Sequence, residues 1–193
     1  MYTFIKKIRQ SAEELKNTYS LTAISLLIAM AVSLSFFSVQ WTVMNRFTFS
    51  VLAFAVCAMW YGPIPTGILG ILADLISFYL KGGSTGPYFF GFTLNGFLSG
   101  MIYGLFLYQT KFHPRKTLLL LLGSKLLNLI FIEMLLSPLW LSILYGKAWI
   151  VYFSGRLALN LIQYPIKVGL CYMLLLFLEK TIVKNGLIQL KRE

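Results

Sequence analysis

Arg156 and Asn160 stand four residues apart inside a long apolar run, roughly residues 149–178. A helix puts both side chains on one face, one turn apart. An arginine at the centre of a membrane helix costs about 2.5–3.5 kcal/mol, so it persists where it faces water, a partner or a ligand. A guanidinium fork beside a carboxamide suits a polar, partly anionic ligand. The plainer alternative is an arginine neutralised by a buried acid, and the apolar runs hold two acids, Asp74 and Glu133. Bond-breaking chemistry finds less support. There is no His/Cys/Asp cluster at metal-ligand spacing and no nucleophile–base pair on one helix face. His113 is a lone loop histidine. Cys57 and Cys171 fall inside apolar runs and read as buried free thiols. No phosphate-cradling Gly-rich loop with its Lys-Ser/Thr occurs, the Gly-rich stretch 81–88 included. The reading is a binding protein, with no cofactor, no metal and no catalytic residue.

The elements that must hold these groups are apolar. The chain has 193 residues, 58% hydrophobic and 12% charged, with a mean hydropathy of +0.76. That excludes an ordinary soluble domain and indicates a polytopic membrane protein, long enough for about six helices of roughly 20 residues. The net charge of +11 does not indicate nucleic-acid binding, because the basic residues flank the apolar runs as the positive-inside rule describes. The first run follows a basic head, lacks a convincing cleavage site and is succeeded by further spans, so it reads as a retained helix.

Taken in order, residues 1–18 form a polar arm or helix at the membrane surface. Span one covers about 21–39, and its Ser25, Ala29 and Ser33, with Ala31 beside them, predict a flat stripe for close helix approach. A loop with Trp41 and Arg46 leads to a short span two at 47–61. Span three, 66–80, carries Asp74. Span four, 89–108, carries Asn95 and the Gly96/Gly100/Gly104 spacing of tight helix contact. Span five is expected at 118–140 with Lys125, Asn128 and Glu133, and span six runs from about 149 to 179. Residues 181–193 are a basic tail. The expectation is one all-α membrane domain, 1–193, with six transmembrane helices.

Orientation follows from the basic residues. Lys6, Lys7, Arg9, Lys16, Lys111, Arg115, Lys116, Lys180, Lys184, Lys191 and Arg192 fall on one side, and only Arg46, Lys81 and Lys147 on the other. Both termini are therefore expected to be cytoplasmic. With span five ending near Trp140 and span six starting near Trp149, Arg156 and Glu133 are each expected about 10 Å below the outer face. Trp41, Arg46, Tyr88, Trp149 and Tyr152 crowd that same end, and Phe89 adjoins Tyr88. They describe an outward-opening pocket able to stack a flat ring.

Several stretches together resemble the S components of energy-coupling factor (ECF) vitamin transporters, and among them the folate-specific family. Arg46-Phe-Thr-Phe-Ser50 opens span two and Tyr61-Gly-Pro63 closes it. Gly70-Ile-Leu-Ala-Asp74 lies in span three, and Pro87-Tyr-Phe-Phe-Gly-Phe-Thr93-Leu-Asn-Gly runs into span four. Arg156-x-x-x-Asn160 followed by Pro165 lies in span six. Where the family often has a lysine just before that asparagine, this chain has Leu159.

The resemblance implies a high-affinity binder in the bacterial plasma membrane. Its partners would be membrane lipid, folate as ligand, a transmembrane coupling subunit and two ATPase subunits. It implies that Ser25, Ala29, Ala31 and Ser33 meet the coupling subunit. It also implies that the protein topples in the membrane to carry the vitamin inward. Arg156, Asn160, Arg46, Trp41, Tyr88, Phe89, Asn95, Glu133, Trp149 and Asp74 are the expected ligand-binding residues. The alternatives are an S component for thiamine or a queuosine precursor, a small membrane enzyme using Glu133 or Asp74 as acid/base, and an assembly subunit in which Glu133 merely neutralises Arg156.

Overall fold

The computed structural model describes residues 2–42, 45–81, 88–109, 114–146, 148–178 and 180. The basic tail and the Gly-rich stretch 82–87 lie outside the described residues, as do the side chains of Trp41 and Arg46. The chain order is α1 (Tyr2–Glu14), α2 (Thr18–Phe36), strands β1 (Ser38–Thr42) and β2 (Asn45–Thr48), α3 (Val51–Tyr61), α4 (Pro63–Leu80) and α5 (Phe90–Leu107). There follow α6 (Pro114–Asn128), a π-helical segment (Leu129–Leu136), α7 (Ser137–Tyr145) and α8 (Trp149–Leu178).

Among the described residues, five helical stretches are long and apolar enough to cross a membrane: Thr18–Phe36, Pro63–Leu80, Phe90–Leu107, Arg115–Tyr145 and Tyr152–Leu178. Val51–Tyr61 is apolar but only 11 residues long. The arrangement is inside-out relative to a soluble protein. Leu26, Leu161, Met173 and Phe177 are exposed, whereas Lys125, Asn128, Asn160, Gln163 and Lys167 are buried. A hydrocarbon surround accounts for both.

The tightest pairing is α4 against α5. A Cβ on Gly70 would run into the Gly96 carbonyl, one on Gly100 into that of Thr66, and one on Gly104 into Pro63. The glycine spacing read in the sequence therefore does bring two backbones together. Gly62, at φ +85°, turns the chain between α3 and α4 in a conformation that glycine adopts without steric cost, and Pro63 opens α4 where its missing N–H is harmless.

The polar head is α1, and it is docked. Ser11 Oγ donates to the Tyr61 carbonyl (2.8 Å) and accepts from the Ile64 N–H (3.1 Å). Lys7 Nζ donates to the Tyr108 carbonyl (2.9 Å). Burial holds the Lys7 ammonium below its ordinary pKa. These contacts mark one end of the bundle.

The other end carries the β1–β2 hairpin, antiparallel and irregular between Gln40 and Thr42. The expected loop around Trp41 and Arg46 is thus a hairpin, and Phe47 belongs to β2 rather than to a helix. Its β2 strand packs against α2 and α8. Lys81, closing α4, donates to the Ser35 carbonyl (2.7 Å) beside it.

On α2, Ser25, Ala29 and Ser33 are exposed along one face. Ala31 is not part of that stripe. It is fully buried with Val32, Ala53, Cys57, Leu69 and Ala73, and its carbonyl accepts from Ser50 Oγ (3.0 Å). Two residues along a helix rotate about 200°, so Ala31 points away from Ala29 and Ser33 and into the protein.

Candidate functional site

Among the described residues, two polar groups inside the bundle carry its ionisable side chains. The first joins α6, the π segment and α8. Lys125 Nζ donates to Glu133 Oε1 and forms an ion pair with it. Lys167 Nζ lies 3.8 Å from the same oxygen. Arg156 adds its field to that of the two lysines at Glu133. Three cations thus surround one carboxylate, an excess of positive charge in an apolar bundle. The alternative in which Glu133 merely neutralises Arg156 leaves out two lysines that are direct partners of Glu133.

The π segment makes this possible. Eight residues of ideal α-helix rotate about 80° beyond two full turns, which would swing Glu133 away from Lys125. The wider i→i+5 turn of Leu129–Leu136 rotates less per residue and brings Glu133 back over Lys125. The rod continues to Tyr145, past the Trp140 expected as its end.

On α8, Arg156, Asn160, Gln163 and Lys167 follow at i, i+4, i+7 and i+11, a single stripe. Asn160, Gln163 and Lys167 are buried. Pro165 lies between the last two and removes the hydrogen bond that a residue there would return to the Leu161 carbonyl.

The second group joins α4, α5 and α7 near the hairpin end. Thr93 Oγ1 donates to Asp74 Oδ2 (2.7 Å), which leaves the Tyr88 hydroxyl to donate to Thr93 (2.6 Å). Tyr88 also meets Phe78 edge-on at 5.1 Å. Asp74 therefore acts on the rim aromatic through Thr93. Buried Asn95 donates to Ser137 Oγ (3.1 Å) and accepts from Trp140 Nε1 (3.1 Å), tying α5 to α7. Phe89 packs on the Trp140 ring at 5.6 Å.

Trp149 stacks on Phe153 at 4.8 Å and donates to the Leu135 carbonyl (3.4 Å), which sets the start of α8 against the π segment. For Trp41 and Arg46 the backbone is placed in the hairpin, while their side chains lie outside the described residues. Helix α5, which carries Thr93 and Asn95 of the second group, also touches the π segment of the first.

Sequence reasoning missed Thr93, Gln163 and the pairing of Lys125 and Lys167 with Glu133. The α8 stripe was open to inspection in the i, i+4, i+7, i+11 spacing. Thr93 lies four residues after Phe89 and offers no such signal. Among the described residues, no group of His, Cys, Asp and Glu is arranged to hold a metal ion.

This arrangement binds polar groups in an apolar bundle, and known proteins carry a similar chain. Residues 19–175 match the family model described as "ECF transporter, substrate-specific component". The chain belongs to that family. It is a transporter's substrate-binding component, not an enzyme. It is 33% identical over 137 residues to the "Folate transporter FolT" of Clostridium novyi, covering 71% of this chain and 76% of that one. It is 26% identical over 164 residues to the protein of the same name from Leuconostoc mesenteroides, covering 82% and 85%. A solved structure, "Crystal structure of FolT bound with folic acid", superimposes with a TM-score of 0.70 at 34% identity, covering 81% of this chain and 91% of that one.

Proposed function

We propose that this chain is the folate-specific S component of an ECF transporter. It binds folate with high affinity and delivers it for ATP-driven uptake by a separate coupling subunit and two ATPase subunits. The observation that carries the reading is the likeness over most of the chain to a FolT that holds folic acid. The excess cationic charge around Glu133, with Arg156 nearer the hairpin end, suits a ligand with a flat polar ring and a carboxylate tail.

In this reading the short α3 completes a set of six spans, with the hairpin end outward and both termini cytoplasmic in the cell membrane. The distribution of lysine and arginine supports that orientation. The expected ligand contacts are Arg156 and Asn160 on α8, with Arg46, Trp41, Tyr88, Phe89 and Trp149 at the mouth. Asp74, Glu133 and Asn95 hold their neighbours in place. The exposed face of Ser25, Ala29 and Ser33 is the surface offered to the coupling subunit.

The test is direct. Protein purified from folate-containing medium should carry pterin absorbance, and folic acid should bind where thiamine does not. Sustained uptake by the chain alone in liposomes would refute the division of labour.

A further inference from the structure

We infer that Gln163 is the residue that reads the pterin ring at the deep end of the ligand site, an inference that rests on the folate reading above. Gln163 is 2% exposed, and among the described residues neither the oxygen nor the nitrogen of its side-chain amide has a hydrogen-bond partner. A buried amide left in that state is costly, and a leucine of similar size would carry no such penalty. Packing therefore does not account for a glutamine here. A bound group that both donates and accepts would complete its hydrogen bonds.

The direction of the side chain is fixed by its neighbours. Gln163 lies on the stripe of Arg156, Asn160 and Lys167, and Lys167 on that stripe reaches Glu133 of the π segment. Leu161 and Ile162, on the other side of α8, are exposed. The amide thus points into the bundle. It lies about 21 Å from the Trp149 end, against about 10 Å for Arg156. A ligand entering from the hairpin end would leave its anionic tail near Arg156 and bring its far end to Gln163.

The chemistry matches a ring edge and not a carboxylate. A primary amide offers an acceptor and a donor side by side. The pterin lactam edge presents a ring N–H next to a carbonyl, which is the complementary pair. A carboxylate only accepts, and the amide oxygen would be left unmatched beside it.

The experiment measures affinity and thermal stability of the full-length chain in detergent, for the parent, Gln163→Leu and Gln163→Met. The probes are folic acid and pteroic acid, which share the pterin but differ in the glutamate tail. The inference predicts unchanged or raised thermal stability without ligand. It predicts a loss of about ten-fold or more in affinity, by the same factor for both probes. Gln163→Met keeps an unbranched side chain of similar length, so the result stands if the leucine variant fails to fold. Unchanged affinity in a folded variant would overturn the inference and assign the amide to buried water. A loss for folic acid but not for pteroic acid would also overturn it, by placing Gln163 at the tail. Failure of the parent to bind folic acid would instead bring down the folate reading itself.

Discussion

Lys125 and Glu133 lie eight residues apart on one unbroken helical rod and still form an ion pair. In a regular α-helix they would diverge by about 80°. The π segment between Asn128 and Ser137 re-phases the rod so that the carboxylate meets Lys125 from its own helix and Lys167 from α8.

Glu133 is consequently the keystone of the deep charge cluster. Removing it takes from Lys125 and Lys167 the carboxylate that they share. Glu133→Ala is expected to cost about 3–5 kcal/mol of stability, the usual penalty for breaking a buried pair. Lys167→Met should cost less, since Glu133 keeps Lys125. Thermal unfolding in detergent with and without folic acid checks the order.

Arg156 can now be separated from that structural role. Because Glu133 is held by two lysines, Arg156→Ala should retain most of the parent's thermal stability. It should lose about 2–5 kcal/mol of folate binding through a missing charge-assisted contact. Asn160→Ala should lose about 1–3 kcal/mol. Calorimetry beside thermal melts distinguishes the two effects. A large stability loss with intact binding would return Arg156 to the role of neutralising partner.

Thr93→Val should act like a change at both its neighbours. It removes the donor to Asp74 and the acceptor for Tyr88. The expected cost is about 1–3 kcal/mol of stability. Paired with Tyr88→Phe, the two changes should be non-additive by roughly 0.5–3 kcal/mol. Simple additivity in the double mutant would break the link from Asp74 to Tyr88.

On α2, Ala29→Trp or Ser33→Trp should impair assembly with the coupling subunit and leave folate binding intact, because close helix approach needs small side chains. Ala31→Trp should behave differently and destabilise the chain itself, since Ala31 is fully buried in the core. Co-purification with the partner subunits and ligand titration read the two outcomes separately.

Much of this was legible in the amino-acid sequence. Apolar runs set the spans, the Gly96/Gly100/Gly104 spacing set the α4–α5 contact, and the cost of an intramembrane arginine drew attention to Arg156 and Asn160. What escaped was whatever depends on helical phase or on short-range pairing. The π segment has no sequence signature, so the pairing of Glu133 with Lys125 and Lys167 could not be read from spacing. Tyr145 ends the rod where Trp140 had been expected, because Trp140 turns inward to Asn95 instead of marking an interface. The hairpin strands are five and four residues long, too short for alternation to be read beside a long apolar helix. Ala31 shows the same limit: a small residue beside a small-residue stripe can still face the opposite way.

The most direct measurement is a calorimetric titration of the purified chain, alone in detergent, with folic acid and in parallel with thiamine. The account predicts saturable, tight binding of one folic acid per chain, no response to thiamine, and a marked loss of folic acid affinity in Arg156→Ala at near-parental thermal stability. Binding of thiamine in place of folic acid, or undiminished folic acid binding by Arg156→Ala, would contradict it.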